Sequence, residues 1–112
     1  MDTALDTILG RPACAAIYAA LLRLLEDIGA FEVEAKKTSL HITHGRAFLG
    51  VHPRSSSVLL NIVTKDPLTD GRIRRSERVS ANRVHNELLV ASEADVDAQL
   101  RGWLEQAYAL TG

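Results

Sequence analysis

The hydrophobic pattern of this chain changes period twice, and those two changes limit its fold more than any other feature. From Pro12 to Ile28 the apolar residues Ile17, Leu21, Leu24, Leu25 and Ile28 recur at helical spacing. Tyr18 and Leu22 widen this stripe, and Arg23, Glu26 and Asp27 mark the outer face. Pro12 suits a first helical position, where its missing N–H costs nothing, and Gly29 is expected to close the helix as a left-handed cap. A shorter helix over 2–9, with Leu5, Ile8 and Leu9 on one side, is expected to precede it, joined through Gly10 and Arg11. After Gly29 the period becomes two. Phe31, Val33 and Ala35 alternate with acids, and Leu40 and Ile42 alternate with His41 and Thr43. Strands are further predicted over 47–51, ended by Pro53, and over 58–64, 73–79 and 83–90. Arg54-Ser55-Ser56-Ser57 reads as a hairpin loop, and Asp66-Pro67 and Asp70-Gly71 as turns. The helical period returns after Val90. Ser92-Glu93-Ala94-Asp95 reads as a capping box, and Val96, Leu100, Trp103, Leu104 and Ala107 form one stripe bordered by Tyr108.

Short connections between strands favour antiparallel pairing, since a parallel pair needs a long crossover. The expected fold class is therefore α+β, a two-layer sandwich. Helices near 12–28 and 92–109 should pack on one face of a five- to six-stranded antiparallel sheet. Residues 1–112 are expected to form one domain, because a chain of 112 residues with 46% hydrophobic content can bury a core of its own but not two. Trp103 is expected to lie buried against the first long helix.

Composition narrows the setting. The one cysteine, Cys14, has no internal disulfide partner, which points to a reducing compartment. No run approaches the roughly 20 apolar residues of a membrane helix, and the first ten residues lack the positive charge that opens a secretory signal. The expectation is a soluble, cytoplasmic protein that makes no membrane contact.

The net charge of −1 conceals an uneven distribution. Residues 1–35 carry two basic groups against six acidic, residues 36–83 ten against three, and residues 84–112 one against five. All four histidines, His41, His44, His52 and His85, lie in or beside the basic stretch. Alternation places Arg83, His85 and Glu87 opposite Val84, Leu88 and Val90, and His41 and Thr43 opposite Leu40 and Ile42. If the helices cover the apolar face, these polar groups share the other one, with Arg74, Ser76 and Arg78 as further candidates. Arginine brings a permanent charge with a fork of donors, and histidine a donor whose charge responds near neutral pH. The candidate anion-binding residues are His52, Arg54, Arg83, His85, Lys37 and Arg74. Against this stands the ordinary solvated polar face of an antiparallel sheet, which binds nothing.

Other chemistry is less well founded. His85 and Glu87 share a strand face, but nothing clusters ligands around them as a metal site requires, and no metal or cofactor is expected. Cys14 sits in an apolar helical turn, where a small buried thiol is the ordinary state. Ser55 to Ser57 adjoin His52 without a Gly-x-Ser-x-Gly elbow, and Lys36-Lys37 precede Thr38 and Ser39 without a glycine-rich phosphate loop. No catalytic residue is assigned.

Several short strings occur together in order: Gly10-Arg11-Pro12, Tyr18, Val33-Glu34, Lys37, Phe48, His52-Pro53, Arg72-Ile73, Arg83, His85, Asp97, Trp103-Leu104 and Ala107-Tyr108. This set resembles an uncharacterised bacterial domain-of-unknown-function family. That domain stands alone and also occurs at the C-terminus of larger proteins, some labelled predicted transport protein. The strand run followed by an acid-capped helix with a Trp and a late Tyr is also similar to double-wing, frataxin-like domains. The resemblance implies an α-β-α sandwich and, through those domains, a suspected role in DNA binding; it implies no catalytic residues.

Three functions follow as expectations. The first is a non-enzymatic binding module that takes an anionic ligand or a nucleic-acid backbone on its basic, histidine-bearing sheet face. The second is a protein-interaction or homodimerisation domain, because Leu59 and Val63 oppose Leu60 and Ile62 and would leave a sticky patch on an open sheet. The third is a small enzyme using His52, His85 or Glu87. No helix is basic, which argues against a major-groove reader.

Overall fold

In a computed structural model that describes residues 2–111, chain order runs through three α-helices and six strands. Helix α1 (Ala4–Leu9) starts from a capping box, with the Thr3 amide donating to Asp6 Oδ2 at 2.9 Å. It buries Ala4 and Ile8, whereas Leu9, expected on its apolar side, is exposed. Helix α2 (Pro12–Ile28) has Pro12 at its start, as its fixed φ favours. It buries Cys14, Ile17, Tyr18, Leu21 and Leu25.

Six strands follow: β1 (Glu32–Ala35), β2 (Leu40–His44), β3 (Arg46–Pro53), β4 (Val58–Thr64), β5 (Ile73–Ser80) and β6 (Arg83–Val90). Every neighbouring pair is antiparallel, and the order across the sheet is β1-β2-β3-β4-β6-β5. Strand β6 therefore lies inside the sheet, and β5 forms an edge. Pro53 does not end β3 from outside. It is the strand's last residue, paired with Val58, and Arg54 N–H donates to the Ser57 carbonyl at 2.8 Å across the hairpin.

The helices pack on one face of this sheet, giving the expected α+β sandwich. One cluster gathers Ile8, Ile17, Leu21 and Leu25 from the first two helices and Leu100, Trp103 and Leu104 from α3 (Ala98–Thr111). Against them lie Leu40, Ile42, Phe48, Val51, Leu60, Ile62 and Leu88 of the sheet. Trp103 is buried as expected, and the Arg72 guanidinium lies over its ring, 5.6 Å from the centroid. The same guanidinium grips Asp97 at 3.0 Å and the Asp95 carbonyl at 2.8 Å. Asn86 is fully buried on the helix-facing side, with the buried Thr64 as one of its partners. Its amide donates to the Ile62 carbonyl and to Thr64 Oγ1, both at 2.9 Å, and its oxygen accepts from Leu68 N–H and Ser76 Oγ.

Four expectations are corrected. The segment after Ser92 is a short 3₁₀ turn, Glu93–Asp95, in which the Ser92 side chain caps nothing. Helix α3 begins at Ala98, and Asp97 caps it by accepting from Leu100 N–H at 3.0 Å. This bond, and after it the Arg72 contact, holds the Asp97 carboxyl below its ordinary pKa. Leu59 and Val63 do face away from the helices, but at 7% and 5% exposure they form no sticky patch. Ser76 and Arg78 belong to the helix-facing side, paired with Asn86 and Val84. A register shift between Ile73 and Arg75 brings Arg75 and Glu77 to the opposite side instead.

The fourth correction is Gly29. Its φ of 162° is extended backbone, so the left-handed cap is absent. Glycine is required there by crowding: a Cβ would lie 2.6 Å from Tyr108 Oη. Tyr108 has little freedom to retreat, because it donates to the Ala30 carbonyl at 2.8 Å, stacks on His44 at 4.3 Å and meets Phe48 edge-on at 5.5 Å. Gly29→Ala is expected to destabilise the fold by about 1–3 kcal/mol, the usual cost of overpacking. Equilibrium denaturation should show a lower midpoint with an unchanged slope.

Candidate functional site

Residues paired across strands share a face, so register alone assembles the side of the sheet that the helices leave open. One row crosses all six strands: Glu34, His41, Gly50, Asn61, Glu87 and Arg75. A second row contains Val63, His85 and Glu77, and a third contains His52, Leu59 and Leu89. Where the first row reaches β3 it meets glycine, and β3 contributes only Ala47 further back along the strand. The face therefore dips at its centre, into a concavity of about 140 Å³. Its wall carries His41, His52, Asn61, Arg83 and His85. Strand β4 separates His52 on β3 from His85 and Arg83 on β6, two strand spacings across the sheet, about 10 Å, and His52 stands in the row of Leu89, further along β6 than either.

Gly50 has no structural reason to be glycine. Its φ is not in the left-handed region, and the nearest atoms to an added Cβ, Asn61 Cβ and His52 Nε2, lie at an ordinary 3.5 Å. Glycine inside a strand costs roughly 0.5–1 kcal/mol relative to alanine, and it often marks the close approach of a ligand. The same geometry places His52 Nε2 over the floor of the dip.

The electrostatics are those of a hollow lined by cationic groups and no carboxylate, with Glu87 acting on it from the adjoining hollow. Three arginines are partly buried, Arg72, Arg83 and Arg101. Arg72 pairs with Asp97, and Arg101 with Asp27 and Glu105. Arg83 pairs with no carboxylate among the described residues; its one contact is a long 3.4 Å bond to the Ala47 carbonyl. Burial lowers the Arg83 pKa from its ordinary value, and Arg46 adds to the effect, though an arginine stays charged at neutral pH. Burial likewise lowers the pKa of His52, helped by the charges of Arg54 and His41 and opposed by Glu87. Asn61 Oδ1 is buried on this face with no hydrogen-bond partner.

Of the residues singled out from the sequence, the structure brings His52, Arg83 and His85 together and adds His41. Arg54 stands exposed at the hairpin beyond His52, near enough to act through its charge but outside the wall. Its carbonyl ties the hairpin to α2 by accepting from Arg11 Nη1 at 2.7 Å and Cys14 Sγ at 3.3 Å. Lys37 lines a separate hollow with Asp2, Thr3, Ala35 and Lys36. Arg74 falls at the irregularity of the edge strand, and Arg75 takes the place on this face expected for it. Gly50 and Asn61 were not foreseen, although each breaks its strand's pattern: a glycine in mid-strand, and an amide amid Val58-Leu59-Leu60 and Ile62-Val63. No group of three or more His, Cys, Asp or Glu among the described residues is placed to hold a metal ion. Nor is any helix among them long and apolar enough to cross a membrane.

The model of a protein family described as Domain of unknown function (DUF5655) matches residues 4–111, and the chain belongs to that family. No curated protein and no solved structure matches it. The family description names no activity, so the roles of these side chains rest on their own chemistry.

A buried acceptor without a partner costs about 1–3 kcal/mol. Asn61→Leu, of similar shape, should therefore stabilise the protein by about 1 kcal/mol, read as a higher denaturation midpoint.

Proposed function

We propose that this domain is a non-enzymatic binding module that takes a small anionic ligand in the concavity on its open sheet face. The observation that carries this reading is Arg83: a partly buried guanidinium that lines one hollow with three histidines and lacks the carboxylate that each other partly buried arginine has. A charge-assisted bond from such a donor to phosphate or carboxylate is stronger than a neutral one. The helices pack on the other side of the sheet and leave this face free for a ligand. Arg54, Lys37 and Arg74, exposed around the sheet, would add longer-range attraction rather than direct contact.

One feature favours a second reading. His52 is held toward its neutral form and hangs over the floor of the hollow, as a general base would need to. With His85 beside it and Glu87 close by, it is where catalysis by a small enzyme would start.

Binding of an anion should raise the His52 pKa, so the complex takes up a proton that the free protein does not hold. Burial lowers the free His52 pKa, so affinity should be flat above the pKa that His52 takes in the complex, rise as pH falls from there toward the lower pKa of the free protein, and level off below it. Calorimetric titration of inorganic phosphate and acetate should show this rise, and His52→Gln should flatten it. Arg83→Ala should weaken binding about ten-fold or more, consistent with the loss of a charged hydrogen bond. Absence of binding by the wild type at low salt would refute the reading. Tight binding of short oligonucleotides that survives Arg83→Ala but falls steeply with salt would move the function to the exposed cations and a nucleic-acid backbone.

A further inference from the structure

Building on the anion-binding reading, we infer that the ligand is a short dianion, with one anionic group seated over Gly50 and the other on Arg83. Register and distance ring the bare backbone at Gly50 with donors. His41 is its cross-strand neighbour on β2 and Asn61 its neighbour on β4, while His52 Nε2 stands 3.5 Å from where a Cβ would lie. The Asn61 oxygen is closed off from the hollow. The amide nitrogen bonds to nothing among the described residues and is the atom that Asn61 presents there. An amide nitrogen only donates. A carboxylate or phosphate oxygen resting on Gly50 therefore meets Asn61 from one side, His41 from the other and His52 from above. The missing Cβ lets it come down to them.

The second group of cations lies further back along the same strand. Arg83 Nη2 reaches the Ala47 carbonyl at 3.4 Å, three residues before Gly50. His85 follows Arg83 on the same face of β6, and the charge of Arg46 acts on Arg83. Three residues of strand span at most about 10 Å. Between the two seats the floor is Ala47 and Val63, whose side chains offer neither donor nor acceptor. Glu87 does not intervene, since it stands beyond Asn61, on the side away from Gly50, and lines the adjoining hollow. A single carboxylate or phosphate fills one seat and leaves the donors of the other to water. A ligand that uses both has an anionic group at each end and a short hydrocarbon middle, as in a small dicarboxylate or a phosphonate of a short carboxylic acid.

Matched pairs of probes test this inference separately from the anion reading. Succinate and its monoamide, succinamate, share length and shape and differ by one charge. The pair 3-phosphonopropionate and 3-phosphonopropionamide repeats the comparison with a phosphonate at the other end, which distinguishes the two kinds of head. Calorimetry or chemical-shift titration is run at low salt and about pH 6, where histidine charges readily. The acid of each pair that binds is expected to be at least about ten-fold tighter than its amide, the worth of a charged hydrogen bond. Removing the charge at either seat should bring that ratio toward unity. The double variant His41→Gln/His52→Gln keeps donors over Gly50 and should leave the amide's affinity unchanged. Arg83→Ala should let the amide turn round and take the histidine seat, so that acid and amide bind alike. Equal affinity within each pair in the wild type, or a ratio that survives both variants, would overturn the dianion and leave the anion site standing. Failure of all four probes to bind would overturn both.

Discussion

The arrangement of this molecule depends on the pairing of β6 with β4. Seven residue pairs, from Val58 with Val90 to Thr64 with Val84, join these two strands. They place β6 inside the sheet although β5 precedes it in sequence. The chain from Thr64 must therefore pass beyond β6 before turning back as the edge strand. Asn86 holds that detour in place. It uses its donors on β4 and its acceptor on Leu68 of the connection and Ser76 of β5. A buried amide satisfied on every side specifies one arrangement strongly, because any other register would leave several polar groups unpaired. Arg72, at the end of the same connection, extends the anchorage to Trp103 and the start of α3.

Once β6 is central, the composition of the two faces follows. The helices supply only enough apolar surface for one side, and the largest aliphatic side chains of β2, β3, β4 and β6 are used there. The other side receives what alternation leaves: His41, His52, Asn61, Arg83, His85 and Glu87, each partly buried by its neighbours rather than by a second layer. Had β3 carried a full side chain at position 50, this face would be an evenly filled polar surface. The missing Cβ turns it into a hollow, on whose wall Arg83 lacks a carboxylate partner among the described residues.

Much of the fold could be read from periodicity. The spans 12–28, 58–64 and 83–90 follow directly from spacing, and so does the placement of Arg83, His85 and Glu87 opposite Val84, Leu88 and Val90. Strand order was not legible, since alternation fixes which face a residue takes but not which strand lies beside it. Irregularities were also hidden. The register shift between Ile42 and Thr43 lets Phe48 and Leu49 both be buried, a bulge that strict alternation forbids. The shift after Ile73 exchanges Arg74 for Arg75 on the open face. Gly29 and the start of α3 were misread for a related reason. Local rules gave Gly29 a left-handed cap and put the helix start at Ser92, whereas contacts distant in sequence, with Tyr108 and Arg72, govern the outcome. At the site, three of the six residues named from the sequence share the hollow. The two that shape it were passed over because each is ordinary in isolation.

The central claim is that Gly50 is retained for the hollow and not for the fold, and Gly50→Val tests it most directly. Valine suits a strand better than glycine, and an added Cβ meets its neighbours at ordinary distances. Paired measurements of denaturation and of phosphate binding on this one variant give the answer. The account predicts stability unchanged or raised by up to about 1 kcal/mol, with binding lost because the branched side chain fills the floor beneath His52. Undiminished binding in a well-folded Gly50→Val protein would contradict it, as would a fold that cannot accept the valine.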